Sequence, residues 1–236
     1  MGSLYTIYIM KYYYNNVPGK GLCRNNLIYT SLINDEKTVF CKWYHNDSDY
    51  HKGKNEVVDP SKMQEKWDRE IKYLTLMQKH FPEHVPNILD IDFENKKIFF
   101  EIQDVDMWEQ AGCEGQDYSK VLPDWQEQML DIFKAHQELG LYKYSLHPSS
   151  YFIVNGKMKS INYFFTYHKD ENLITVEDVL SHISKERRVQ LFEYMKIMNI
   201  ELDTPAEFKK FQILALNSFS NNYNSEFIEK AKSLYV

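Results

Sequence analysis

The chain has 236 residues, 26% of them charged, and a formal net charge of −6. That length can bury a substantial core, in one domain of two lobes or in two small domains, and the acidic balance lacks the basic excess that a nucleic-acid partner favours. No apolar run reaches the roughly 18 residues of a membrane span, and Cys23, Cys41 and Cys113 are too widely spaced for a zinc site or a disulfide framework, so a reducing, cytoplasmic setting is expected. The apolar stretch 4–10 is too short for a signal peptide. Met1-Gly2 followed by Thr6 fits the loose myristoylation pattern, although Met10 is an alternative start. Abundant Tyr, Asn, Lys and Ile with scarce Gly suggest an AT-rich source genome, such as that of a phage or a marine bacterium.

Residues 5–14, 27–33 and 37–45 are rich in β-branched and aromatic side chains and are predicted as strands. The stretch 15–26, with Pro18, Gly19 and Gly21, is a loop, and Asn34, Asp35 and Glu36 form a turn. Alternation puts Phe40, Lys42 and Tyr44 on one face of the third strand. Asp59 and Pro60 then open a helix over 60–81, as N-cap and first helical position, with an apolar stripe of Met63, Trp67, Leu74, Met77 and Phe81. Glu70 falls inside that stripe. An unpaired carboxylate facing a core costs several kcal/mol, so Glu70 needs a cation, for which Lys42 is the candidate; the alternative is a Glu70 at the stripe's edge reaching solvent. Residues 88–93 and 97–102 form a further strand pair around Glu94 and Asn95. A polar connector over 104–122 leads to a helix over 124–139, with Trp125, Met129, Ile132, His136 and Leu139 on one face and Gly140 as its stop. His136, on that apolar face, reads as a satisfied core histidine.

Next, a polar loop through Leu146, His147 and Pro148 meets a strand over 151–154. The turn Asn155-Gly156, whose residues both tolerate positive φ, leads into a second strand ending at Phe164. A loop over 167–172 follows, then helices around 175–183, 184–199, 204–219 and 223–234, with Thr204 and Pro205 marking one start. The Asp-x-Asp triplets at Asp90, Asp92 and at Asp104, Asp106 place paired carboxylates on one face of an extended strand, the metal-binding pattern of many glycosyltransferases. A solvated strand face explains the first triplet, and the absence of a leading Gly-rich βαβ unit argues against that enzyme class.

The helix, loop and hairpin over 124–165 resemble the catalytic centre of the protein-kinase-like superfamily, in its aminoglycoside and choline phosphotransferase-like branch. There the loop reads roughly His-Gly-Asp-Leu-His-Pro-Gly-Asn, and Ile-Asp-Phe follows the hairpin. Leu146, His147 and Pro148 match the first motif directly, and Ile161, Asn162 and Tyr163 fall at the place of the second. The residues that do the chemistry depart from it: Ser145 stands at the catalytic Asp, Ser150 at the metal-binding Asn and Asn162 at the Mg²⁺-binding Asp. Phe40-Cys41-Lys42 is similar to the family's Val-Ala-Ile-Lys strand, whose Lys pairs with nucleotide phosphates and with a helix Glu. Phe40 takes the place of the small residue that roofs the adenine. Gly19-Lys20-Gly21 lies where the family has its phosphate-covering flap, but without the full Gly-x-Gly-x-x-Gly an ordinary hairpin loop is the favoured reading. Glu101, Ile102 and Gln103 sit at the interlobe hinge, whose backbone would hold adenine.

This resemblance, which covers residues from about 20 to 170, implies an α+β, two-lobed kinase-like fold. An N-lobe over 1–103 would contain a small antiparallel sheet and the helix 60–81. A mostly helical C-lobe over 104–236 would carry the degenerate catalytic loop and hairpin 141–165. Neutral oxygens do not replace the carboxylates that anchor Mg²⁺ and neutralise charge in phosphoryl transfer. The expected function is therefore a pseudokinase, a binding or regulatory module with a protein partner and no metal site, in which Lys42, Glu70, Glu101, Ile102 and Gln103 would hold any ATP. The alternative is an active, divergent phosphotransferase using ATP and Mg²⁺, with Asn162 and one of Asp170 or Glu171 on the metal. His147 is either a general base or, as the family's histidine there mainly is, structural. Lys143 replaces the loop's first His and adds positive charge near the depleted site. A glycosyltransferase is the third reading.

Overall fold

A computed structural model of the chain describes residues 12–13, 30–34, 39–44, 60–101, 106–112, 116–171, 175–177, 185–202 and 207–236. The chain is α+β. Its first half forms an antiparallel sheet whose described strands lie in the order β1 (Tyr12–Tyr13), β2 (Thr30–Asn34), β3 (Val39–Trp43), β5 (Lys97–Glu101) and β4 (Ile88–Asp92). β3 is central, and its side chains are sorted by alternation. Phe40, Lys42 and Tyr44 turn toward the helix α1 (Pro60–His80), where Phe40 and Tyr44 pack with Met63, Trp67, Leu74 and Met77. Val39 and Cys41 pack with Phe99 on the opposite face. A central strand buried on both faces has no solvated side on which to place a charge, so Lys42 must be neutralised from within.

The second half is held by short strands and by helices. α2 (Met107–Gln110) and α3 (Trp125–Glu138) precede β6 (Leu141–Lys143). The hairpin β7 (Tyr151–Val154) and β8 (Lys157–Ser160) follows, then β9 (Thr166–His168), α4 (Lys185–Met198), α5 (Phe208–Ser218) and α6 (Ser225–Ser233). The apolar face of α3 places Trp125, Met129 and Ile132 in a core shared with α5 and α6, with the Trp125 and Phe227 rings 4.8 Å apart. Gly140 ends α3's turn at φ +66°, a left-handed conformation that glycine adopts without steric penalty. β6 pairs antiparallel with β9, and Gln212 on α5 clamps it by bonding both the N–H and the C=O of Lys143, each at 3.1 Å.

Several expectations need correction. The second hairpin strand ends at Ser160 rather than Phe164. Asn162 takes the left-handed conformation, φ 65° and ψ 62°, and Tyr163–Phe165 is a single 3₁₀ turn, neither of which can continue a strand. The expected loops over 141–150 and 167–172 contain β6 and part of β9. Ile102, Gln103 and the triplet's Asp104 lie outside the described residues, as do Cys23, Cys113, the Gly19–Gly21 loop, the N-cap Asp59, the stretch 178–184, and Thr204 with Pro205. No described helix is long and apolar enough to cross a membrane.

Candidate functional site

Five of the residues singled out by motif and periodicity meet in one hydrogen-bonded chain. β3 delivers Lys42 and α1 delivers Glu70; the ammonium Nζ donates to Glu70 Oε1 at 2.6 Å and to Asn162 Oδ1 at 3.0 Å. Asn162 Nδ2 donates in turn to Ser150 Oγ at 3.1 Å, and the Ser150 and Ser145 hydroxyls share a hydrogen bond of 3.1 Å. The left-handed turn after β8 aims the Asn162 amide into this chain, a conformation that asparagine tolerates better than most residues. Lys42 and Glu70 are both 0% exposed. Burial lowers the proton affinity of Lys42, and the neighbouring Glu70 carboxylate works against that loss. Glu70 Oε2, the second carboxylate oxygen, is buried without a hydrogen-bond partner. In this chain of groups Glu70 is the one carboxylate, and it is already matched to Lys42.

The loop that supplies the serines is fixed from several sides. His147 Nδ1 accepts the Ser149 N–H at 3.2 Å and lies 2.8 Å from Ser149 Oγ, capping the 3₁₀ turn Pro148–Ser150. Its ring packs edge-on to Trp108 at 5.2 Å. The geometry is that of a loop-packing histidine. Tyr223 Oη donates to the Leu146 carbonyl at 2.5 Å, tying the loop to the C-terminal helices. His136 Nε2 meets Tyr163 Oη at 3.1 Å; burial, with the Lys143 charge adding to it, holds the imidazole well below its ordinary pKa. It is a neutral core histidine.

Sequence reasoning placed Lys143 near the depleted site without foreseeing its burial, and it did not foresee Phe152. Lys143 is a wholly buried cation whose ammonium donates to the Ser145 carbonyl and lies 5.2 Å from the Tyr151 ring centre and 5.7 Å from that of Tyr163. Burial pushes its pKa down to about 7, against the pull of Glu70. Phe152 lies on β7. Phe40 stacks on Phe100 with ring centres 5.8 Å apart and meets Phe152 at 6.3 Å. Strand alternation placed Phe40 on its face correctly, but its partner across the fold carries no local signal.

Other carboxylates are engaged or distant in role. Glu171 Oε2 accepts from Arg69 at 2.7 Å, and Lys72 approaches its other oxygen at 3.5 Å; Arg69 also covers the Tyr167 ring. Asp170 is 74% exposed beside His168. Asp92 accepts from both the backbone and the side chain of Asn95, closing the turn between β4 and β5. Asp106 is buried and pairs its backbone with Phe152. Glu101 is exposed and accepts from Asn87 at 3.3 Å. Among the described residues no cluster of His, Cys, Asp and Glu could hold a metal ion. Cys41 is buried, its thiol pushed up to about 12 by desolvation.

No family model and no curated protein matches the chain. Among solved structures, a co-crystal structure of WbdD with the kinase inhibitor LY294002 is similar at a TM-score of 0.46 and 13% identity, over 87% of this chain. The match takes in 48% of that chain, so this protein spans about half its length.

Proposed function

We propose that the chain is a pseudokinase: a two-lobed, kinase-like binding or regulatory module that has lost phosphotransfer and acts through a protein partner. The observation that carries this reading is that neutral Asn162, Ser150 and Ser145 stand in place of the family's acidic and metal-binding groups and are hydrogen-bonded to one another and to Lys42. In the family it resembles, the lysine serves nucleotide phosphates, and carboxylates hold the metal ions that neutralise them. Here the Lys42 ammonium is buried and bonded to protein groups on both sides.

Among the described residues, those at the site do not fit a magnesium ion. Mg²⁺ takes oxygen donors and is anchored by one or two carboxylates. Asn162 offers an amide oxygen that already accepts from Lys42, and Ser150 Oγ already accepts from Asn162. Of the two carboxylates nearest in the sequence, Glu171 is held by Arg69 and Lys72, and Asp170 is 74% exposed beside His168. The Phe40 ring, where the family has a small residue over the adenine, rests against Phe152 instead of open space. These contacts favour a module that works without nucleotide turnover.

The test is to incubate the protein with ATP and Mg²⁺ and follow ADP. The expected result is no ADP above the protein-free control, in wild type and in Asn162→Ala alike. Mg²⁺-dependent ADP formation that Asn162→Ala abolishes would contradict the proposal.

A further inference from the structure

Helix α4 packs on α5, with Leu191 and Met195 buried in the core and Tyr194 and Met198 packed against it. At about 100° of turn per residue, Val189, Phe192, Glu193, Lys196 and Ile197 fall on the opposite side of the helix. All five are exposed, Val189 to 61% and Ile197 to 80%. Apolar side chains scattered singly over a surface need no explanation. Here, however, three of the seven large ones exposed among the described residues share one outward helix face. A helix that is apolar on both sides is one that is covered on both sides.

The charges on that face select what covers it. Glu193 and Lys196, one acid and one base, stand among the three apolar groups, and among the described residues neither has an ion-pair partner. The face is therefore locally neutral, whereas the whole chain carries −6. A basic partner drawn by the overall charge would meet Lys196, and an acidic one would be repelled by the rest of the chain. A second copy of the same helix meets neither obstacle. Take two antiparallel α4 helices related by a two-fold axis at the level between Tyr194 and Met195. Glu193 and Lys196 are equally far from that axis, so Glu193 of each copy comes level with Lys196 of the other. Phe192 and Ile197 are likewise equidistant from it. Self-complementarity of this kind is what an isologous interface requires.

We propose that the outward face of α4 is a homodimer interface, in which two copies pair their α4 helices antiparallel across a two-fold axis. Val189, Phe192 and Ile197 supply the apolar contact, and the two Glu193–Lys196 pairs fix the register. A face one helix wide puts the buried area at the low end for specific interfaces, about 1,200 Å² in total or less, so the dimer forms reversibly. The inference uses no group of the candidate site and holds whether or not the chain transfers phosphate.

Sedimentation equilibrium of the full chain, from about 5 to about 500 μM to suit an interface of that size, tests it. The weight-average mass is expected to rise from 28.3 kDa toward twice that value. Ile197→Asp is expected to stay monomeric throughout, with its far-ultraviolet circular dichroism unchanged. Glu193→Lys and Lys196→Glu should each weaken self-association about tenfold, because the axis turns two attractions into two repulsions. An equimolar mixture of these two variants should recover wild-type association, since opposite signs then face each other across the axis. A mass of 28.3 kDa at every concentration overturns the proposal. So does a dimer that Ile197→Asp leaves intact, or a mixture that associates no better than the separate variants.

Discussion

Lys143 holds its proton less readily than any exposed lysine would. It is wholly buried, and desolvation brings its pKa to about 7, whereas in the unfolded chain the amine stays protonated up to about 10.4. Between those values the unfolded state binds more protons, so stability rises with pH by up to about 1.4 kcal/mol per unit. Below the folded value both states are protonated and the full penalty is present. Lys143→Met is expected to unfold at higher urea than wild type below pH 7, and to flatten the rise above it. Lys42, also depressed by burial, leaves a residual slope of the same sign. Urea melts at stepped pH check this, and an unchanged slope would count against it. The neighbouring ion pair gives a second expectation. Lys42→Met leaves Glu70 buried without its cation, and breaking a buried pair costs about 3–5 kcal/mol. The double replacement Lys42→Met with Glu70→Leu is expected to cost less than either single one, which a double-mutant cycle in denaturant measures. This pair is legible in sequence because two independent periodicities each put a charge on an apolar face. The burial of Lys143 is not, because a lysine in a short loop looks solvated until β9 and α5 are seen to cover it.

At the scale of elements, helices with clear apolar stripes are legible and very short strands are not. α1 and α3 follow from their stripes to within a residue or two of their ends. β6 and β9 are three residues each and largely buried, so no alternation marks them. The strand expected to reach Phe164 fails at Asn162, whose left-handed backbone answers a tertiary demand, the aim of its amide at Lys42 and Ser150. Gly140 is the element boundary that the sequence marks best. Its φ of +66° and the 2.9 Å from an added Cβ to Lys169 Cδ give a defined cost. The lysine chain can swing aside, but the backbone penalty of about 1–2 kcal/mol remains. Gly140→Ala should lower stability by that amount in urea unfolding, and a neutral effect would mean that the turn relaxes to negative φ.

At the scale of the molecule, the sheet with α1 and the half that follows it are joined by contacts of unlike kinds, three of them at or beside the candidate site. Lys42 reaches Asn162, Phe40 meets Phe152, and Arg69 holds Glu171 and the Thr166 carbonyl. The layout behind the first was readable from Leu146, His147 and Pro148 and the hairpin after them. The other two depend on which side chains face each other across the fold, which no local pattern encodes. Together these contacts leave a centre in which Lys42, Asn162, Ser150 and Ser145 are bonded to one another and Lys42 to Glu70. That claim is tested most directly by the melting temperature of the wild-type protein in millimolar ATP, with and without Mg²⁺, since a ligand specific to the folded state raises Tm by mass action. The account predicts that Mg²⁺ together with ATP leaves Tm where ATP alone leaves it. A rise that appears only when both are present would contradict it, because Lys42 and Asn162 would then have to part to admit a metal-bound nucleotide.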